Sequence, residues 1–431
     1  MSHYQKPDGR QKLVVIGNGM GSVRFLEQLF AGGQCPFQVT VLSEEDCPGY
    51  NRIQLSKLLA GSVDLEGIHL KSATWYQQQG IKLLMGEDYR AIQIDRSLKR
   101  VVTQGGETFD YDRLVLATGS LPNQIPVPGA DLQGVLAFRS LADVDLMLEA
   151  GQGQAVVIGG GLLGLECGSG LAKRGMLVTI VDNMPIPMAR QLDQHAGHLL
   201  RKELERRGIA FRSSATLKSY ECVDGRVCGV QVDGEYLPTS LVVVTAGVRP
   251  NIQLMQEAGL KCDRGVLVND RLQTSDPDIF TVGECAQMQL TSGQETQSLL
   301  FGLVAPVYRH AEIVAASLLG DQSQTFTPVP IPTNLKVDGI NLFSSGEFNP
   351  SCFVEKSDEQ SDEISRDEVI TLDASDAGIY RKLVLQNNRI KGVLLYGDVS
   401  DGLWYQTLME SGTDISAIRQ QLIFGQRFLA A

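Results

Sequence analysis

The sequence predicts an α/β chain, two doubly wound Rossmann-like units with parallel sheets followed by a smaller C-terminal α+β domain, and three observations predict it. VVIGNGMGS (Val14 to Ser22) and VVIGGGLLGLE (Val156 to Glu166) repeat one design: branched apolar residues, then glycines, then a helical pattern. Each is followed by a strand that breaks at a glycine into a proline-containing loop, YDRLVLATGSLPNQIPVPGA (Tyr111 to Ala130) and SLVVVTAGVRPN (Ser240 to Asn251). Such loops read as domain crossings, so the chain leaves one domain and returns to it. From about Thr325 the texture changes to short strands such as YRKLVLQNN and RIKGVLLYGDV alternating with turns, and a helical stretch starts near Leu403. The expected domains are 10–124 with 251–323, then 125–250, then 324–431.

In each repeat the first glycine makes a tight turn, the second lets a pyrophosphate approach the backbone, and the helix start offers unpaired N–H groups to the anion. The first cradle uses Gly17 and Gly19, with Ser22 where a third glycine is expected, so helix and strand are expected to sit slightly further apart there. The second, Gly159, Gly161 and Gly164, is complete. A ribose-binding acid is expected about 20 residues past the turn, at the end of the next strand. In the first unit that position falls on Glu44, although Glu45 and Asp46 follow it and a solvated loop acid is the competing reading. In the second it falls on Asp182. Asn183, Met184 and Pro185 offer no arginine for a 2′-phosphate, which favours NADH over NADPH unless Arg174 or Arg190 folds back.

Composition narrows the function. A chain of 431 residues with 43% apolar and 20% charged residues is globular and too long for one core. Nothing before Leu13 has the apolar core of a signal peptide and no apolar run spans a bilayer, so a soluble, cytoplasmic protein without membrane contact is expected. Lys plus Arg at 38 against Asp plus Glu at 50 gives a net charge of −12, which repels nucleic acid. The eight cysteines include no CxxC, arguing against a zinc knuckle, an iron–sulfur cluster or a redox dithiol. They read as small apolar residues in a reducing compartment. His195 and His198 are three apart on a helix, but no further ligand completes a metal site. The acidic run EKSDEQSDEISRDE (Glu355 to Glu368) reads as a solvated loop rather than a docking site for a basic partner.

Three further motifs, ATG at Ala117 to Gly119, AGVRPN at Ala246 to Asn251 and GEC at Gly283 to Cys285, stand in the order found in the pyridine nucleotide–disulfide reductase superfamily, which the chain resembles. PGYNRIQLSKLLAG (Pro48 to Gly61), ARQLD (Ala189 to Asp193) and FGLVAPVY (Phe301 to Tyr308) resemble more closely the N-terminal reductase part of assimilatory nitrite reductase large subunits and the electron-transfer subunit of assimilatory nitrate reductase. The resemblance implies a glutathione-reductase-like arrangement, with FAD on the first cradle and NAD(P)H on the second. It also implies that Thr118, Gly119, Gly247, Gly283 and Glu284 line the cofactors and that Arg52 braces the flavin diphosphate or its surrounding loop. Lys57 would sit beside the flavin, paired with Glu166, as in the related ferredoxin reductases. Cys47 lies outside the position where thiol-using relatives carry their reactive cysteine, and Arg52 to Gln54 occupy that place.

Two departures limit the resemblance. No siroheme domain or cluster ligands follow within these residues, so nitrite reduction by this chain alone is not expected, and Glu284 stands where the wider superfamily has Asp. The implied activity is an NADH-dependent FAD reductase that hands electrons to a separate redox protein: a nitrate or nitrite reductase catalytic subunit, a ferredoxin or a rubredoxin. An NADH oxidase is an alternative within the class. A slow-turnover, NADH-responsive flavoprotein acting as an interaction partner is an alternative outside it. The acceptor, its docking surface and the oligomeric state are left open, a homodimer among them.

Overall fold

The computed structural model describes residues 9–33, 35–292, 295–327, 333–334, 339, 341–349 and 367–429. Cys352 and the acidic run as far as Arg366 lie outside them. Two compact units emerge: one of 1–55, 63–122 and 248–328, the other of 56–62, 123–247 and 329–431.

The framework of both units, in chain order, is β1 (Gln11–Ile16), α1 (Met20–Phe30), β2 (Phe37–Ser43), α2 (Leu55–Leu59), β3 (Lys82–Met85), β4 (Arg113–Leu116), β5 (Gln154–Ile158), α3 (Leu162–Lys173), β6 (Leu177–Val181), α4 (Gln194–Arg206), β7 (Ala210–Arg212), β8 (Leu241–Val244), β9 (Ile279–Thr281) and α5 (Val304–Leu318). The first unit carries a five-stranded parallel sheet in the order β9-β4-β1-β2-β3. A parallel sheet covered on both faces needs strands apolar on both sides, and β1 shows how the sequence supplies them. Leu13 and Val15 enter one core with Phe25, Leu26 and Leu29 of α1 and Ala311 and Val314 of α5. Val14 and Ile16 alternate into the opposite core with Leu114, Leu116, Met255 and Ile279.

The second unit repeats the plan, β7-β6-β5-β8 and then Val135–Ala137, again all parallel. Val156 and Ile158 of β5 pack under an antiparallel sheet of Leu217–Val223, Arg226–Val232 and Glu235–Pro238, against Tyr220, Val227 and Val230. The C-terminal part of this unit is a further antiparallel sheet. Its strands Leu342–Gly346, Arg389–Tyr396, Ile379–Gln386 and Glu368–Ala374 lie side by side in that order. Helix Gly402–Glu410 covers it through Tyr405, which joins Phe343, Leu383, Val393 and Leu395 in one core.

A buried carboxylate ties that sheet to α4. Asp193 caps α4 by accepting from the Ala196 N–H at 2.9 Å, and also accepts from Tyr380 Oη at 2.8 Å and Lys382 Nζ at 3.1 Å. Nearby, His195 meets Ser375 Oγ at 2.9 Å and Asp373 at 3.2 Å. This helix face is therefore exposed, yet His195 on it is partnered. Among the described residues no helix is long and apolar enough to cross a membrane.

Candidate dinucleotide-binding sites

In the first unit three hydrogen bonds tie together the ends of four adjacent parallel strands, β2, β1, β4 and β9. The Gly17 N–H donates to Leu42 O, the Ala117 N–H to Ile16 O and the Val282 N–H to Leu116 O, each at 2.8 Å. The carboxyl edge of the sheet, where open α/β sheets bind ligands, is thus built from the Gly17–Ser22 turn, the Ala117–Ser120 turn and the Gly283–Cys285 turn. Gly17 has φ +101°, and a Cβ there would stand 2.3 Å from Ala117 O, so only glycine can make this turn. Gly19 faces open space on its Cβ side. It caps α1 with backbone alone, and no acidic residue stands in the first turn. The leading N–H groups of α1 are left without a side-chain acceptor, as a phosphate requires.

Around this turn the expected residues take distinct places. Thr118 Oγ1 donates to Asn251 O at 2.7 Å, and Gly119 O accepts from the Asn251 N–H at 3.0 Å, closing the ATG turn onto the AGVRPN strand. Glu284 accepts from Ser120 Oγ at 2.8 Å. Glu45 is committed to Tyr50, whose hydroxyl donates to it at 2.6 Å, and to Arg52, which leaves Glu44, directly after β2, and Asp46 as the exposed acids of the three. Crowding by the protein, with Glu45 and Glu87 nearby, raises the Glu44 carboxyl above its ordinary range. The Arg52 guanidinium also lies 5.0 Å from the Tyr50 ring centroid, so what it visibly braces is the loop after β2. The Cys47 thiol is pushed up to about 11 by burial and then by Glu45 and Asp46, the opposite of what a reactive thiolate needs.

The second lobe builds the same edge more tightly. Gly159 has φ +117°, and a Cβ on Gly164 would stand 1.9 Å from Gly159 O, so α3 rests directly on its own turn. Thr245 Oγ1 reinforces that turn from the end of β8, 3.1 Å from Ile158 O and 3.2 Å from Gly159 O. Gly161 faces open space, and α3, like α1, starts without a side-chain cap or an acid in its first turn. Asp182 ends β6 with both carboxylate oxygens engaged, Oδ2 by the Gly160 N–H at 2.7 Å and Oδ1 by the Met184 N–H at 3.0 Å. Each oxygen keeps a lone pair for a ribose hydroxyl. The loop that follows folds back so that the Met188 N–H donates to Gly160 O at 2.9 Å. Glu166 is buried on α3, Lys57 is exposed on α2, and Gly247 turns at φ +85° while accepting from the Asn123 N–H at 3.0 Å.

Ser22, expected at the first cradle, is fully buried and its hydroxyl has no hydrogen-bond partner among the described residues, and two other contributors escaped the sequence reading. The close approach expected of a third glycine is made one residue earlier, at Gly21, where a Cβ would meet Val307 Cγ1 at 2.9 Å and Val282 Cγ1 at 3.1 Å. The glycine in GMGS was the available signal. Asn18, to which the sequence reading gave no role, is buried and accepts from Tyr76 Oη at 3.0 Å, fixing the turn from behind. Both arginines considered for a 2′-phosphate are exposed, but Arg174 donates to backbone carbonyls of α2. Of the described cysteines only Cys167 and Cys285 are buried, and Cys222 is exposed. Among the described residues no group of three His, Cys, Asp or Glu could hold a metal ion.

Two glycine cradles, each at the carboxyl edge of its own parallel sheet, each opening a helix with uncapped N–H groups, fit the pyrophosphates of two dinucleotides and define a reductase of the two-nucleotide class. Residues 11–298 match the family described as pyridine nucleotide-disulphide oxidoreductase, and the chain belongs to that family of FAD-dependent NAD(P)H oxidoreductases. Residues 332–413 match the rubredoxin NAD+ reductase C-terminal domain. The chain is 40% identical to a nitrite reductase [NAD(P)H] of Bacillus subtilis (strain 168), over 95% of this chain and 48% of the relative. It is 37% identical to the assimilatory nitrate reductase electron transfer subunit of the same organism, over 96% of this chain and 51% of the relative. It therefore spans about half the length of these two curated relatives. The crystal structure of NADH:rubredoxin oxidoreductase from Clostridium acetobutylicum superposes with a TM-score of 0.74 at 25% identity, covering 96% of this chain and 99% of that one.

Proposed function

We propose that the chain takes electrons from NADH, passes them through FAD and delivers them to a separate redox protein of nitrate or nitrite assimilation. Three parts serve this in the reading: an FAD domain (10–124 with 251–323), a nucleotide domain (125–250) and a C-terminal domain (324–431). The observation that carries the reading is the pair of separate cradles, each with its second glycine facing open space, in a chain 96% of which aligns with about half of a nitrate reductase electron transfer subunit.

FAD accepts electrons as a hydride pair and can release them singly, which suits it to stand between a nicotinamide and a metal acceptor. The residues hold and orient. Gly17, Gly19 and the first turn of α1 take the flavin's pyrophosphate, Ser22 underpins that turn, and Glu44 takes the ribose hydroxyls. Thr118, Gly119, Gly283 and Glu284 line the same edge, and Arg52 stiffens it. Gly159, Gly161, Gly164 and Asp182 take the nicotinamide nucleotide, with Gly247 shaping the neighbouring turn. NADH is preferred over NADPH because Asp182 stands where a 2′-phosphate would be repelled and Arg174 is committed elsewhere. Lys57 supplies a positive charge beside the flavin and Glu166 orients it.

The matching C-terminal domain and the full-length superposition favour a rubredoxin-like acceptor as the second reading. Anaerobic mixing of the purified chain with NADH or NADPH, followed by addition of ferredoxin, rubredoxin, cytochrome c or oxygen, tests all of this. Rapid loss of flavin colour with NADH and its return with a protein acceptor are expected. A colourless protein that takes up no flavin overturns the proposal, and return of colour with oxygen alone identifies an oxidase.

A further inference from the structure

The short helix α2 lies in sequence between two pieces of the first unit, yet Ser56–Ser62 groups with the second. The contacts show why. Arg174, the C-cap residue that follows α3, donates from Nε to Leu59 O at 2.6 Å and from Nη2 to Leu58 O at 3.4 Å. These are carbonyls a helix C-terminus leaves without intrahelical partners, and a guanidinium there also meets the negative end of the helix dipole. The chain completes the cap itself: the Ala60 N–H donates to Ser56 O, Gly61 to Leu58 O and Ser62 to Lys57 O, at 2.9–3.0 Å. Two glycines make room for the arrangement. Gly61 has φ +72°, and a Cβ there would stand 3.0 Å from the Arg174 guanidinium. A Cβ on Gly170 of α3 would press on Leu59 at the same distance. Leu59 itself is fully buried.

We infer that Arg174 is a positioning residue for Lys57: it clamps α2 to α3, so Lys57 is fixed on the same helix that carries Glu166 and belongs to the nicotinamide lobe rather than the flavin lobe. The consequence for the reaction rests on the functional reading above. Whatever places the nicotinamide nucleotide on its cradle also places the Lys57 ammonium, and the two are delivered together.

Hydrogen–deuterium exchange reads the clamp without reference to turnover. In Arg174→Met the amides of Ala60, Gly61 and Ser62 are expected to exchange roughly tenfold faster than in the wild type, the loss of one charge-assisted hydrogen bond at a half-exposed site, while β5 and β6 stay protected. Arg174→Lys is expected to restore part of the protection, and Arg174→Gln serves the same comparison if the methionine variant is poorly folded. Unchanged exchange at 60–62 overturns the clamp.

Stopped-flow reduction by NADH then reads its purpose. Arg174→Met is expected to slow loss of flavin colour about tenfold, and Lys57→Met/Arg174→Met to be no slower than Lys57→Met alone. Multiplying losses in the double variant would show that Arg174 does not act through Lys57. A wild type whose flavin NADH fails to reduce would sink the functional reading and leave the exchange result to decide the clamp.

Discussion

The two cradles start from one design and close in different ways. In the second, the third glycine is present and α3 sits on its own turn, with Gly164 against Gly159 O. In the first, Ser22 fills that position and the tight contact moves to Gly21, against Val282 and a second helix, α5. The acids differ too: Asp182 is held by two backbone N–H groups, whereas Glu44 stands exposed with its carboxyl raised. A cradle shared with a neighbouring helix and a following strand is reinforced from outside itself. A cradle closed on its own glycine, with Thr245 bracing the same turn, has no room at that glycine, and the two should therefore respond differently to one added methyl group.

Gly164→Ala is the sharpest blow to that contrast. Its Cβ meets a backbone carbonyl that cannot move without distorting the turn, and overpacking of this kind costs about 3 kcal/mol, roughly a hundredfold in kcat/KM for NADH if it falls wholly on nucleotide binding. Flavin content should be unchanged, since the first cradle is untouched. Steady-state kinetics beside a flavin-to-protein ratio checks this, and loss of flavin along with activity would mean that the lobes are not independent in this respect.

The lobes also differ in how they bury histidine. His310 on α5 is fully buried between the edges of Phe301 and Phe326, with ring centroids 5.1 and 4.7 Å away, whereas His195 and His198 on α4 are exposed. Burial pushes His310 down to about 4, partly offset by the Gly283 backbone. The unfolded chain binds its proton at the ordinary value near 6.5. Between those two values the unfolded state therefore holds more protons, and stability falls as pH falls from about 6.5 toward 4, then no further. From pH 7 to pH 5 the loss from this group is on the order of 2 kcal/mol. Urea unfolding of the wild type and His310→Phe at both pH values measures it. Parallel pH dependence in the two proteins would remove His310 as its source.

How much of this was legible in the sequence follows from what each feature depends on. Strand, turn and helix at Val14–Ser22 and Val156–Glu166 are local, so apolar runs and glycine spacing reveal them, and the distance to Asp182 follows from one βαβ unit. The acids after β2 needed more, because Glu44, Glu45 and Asp46 look alike until Tyr50 and Arg52 occupy Glu45. Ser120 on Glu284, Tyr76 on Asn18, Tyr380 and Lys382 on Asp193, and Arg174 on Leu59 join residues 58 to 189 positions apart. Nothing local marks such partners. The grouping of Ser56–Ser62 with the second unit was hidden for the same reason, since chain order places it among residues of the first.

The smallest expected effect tests the first cradle's external support most directly. Ser22 is wholly enclosed and its hydroxyl makes no hydrogen bond among the described residues. Leaving a buried hydroxyl unsatisfied costs about 1–3 kcal/mol, so removing it should not destabilise the protein, while the cavity left by a single oxygen costs a similar or smaller amount. The two nearly cancel, and Ser22→Ala should change stability by less than about 0.5 kcal/mol, with flavin retention and NADH kinetics unaltered. If Ser22→Ala instead sheds flavin on gel filtration, the hydroxyl serves the cofactor directly, and the first cradle has a polar contact in place of the packing that a third glycine would have provided.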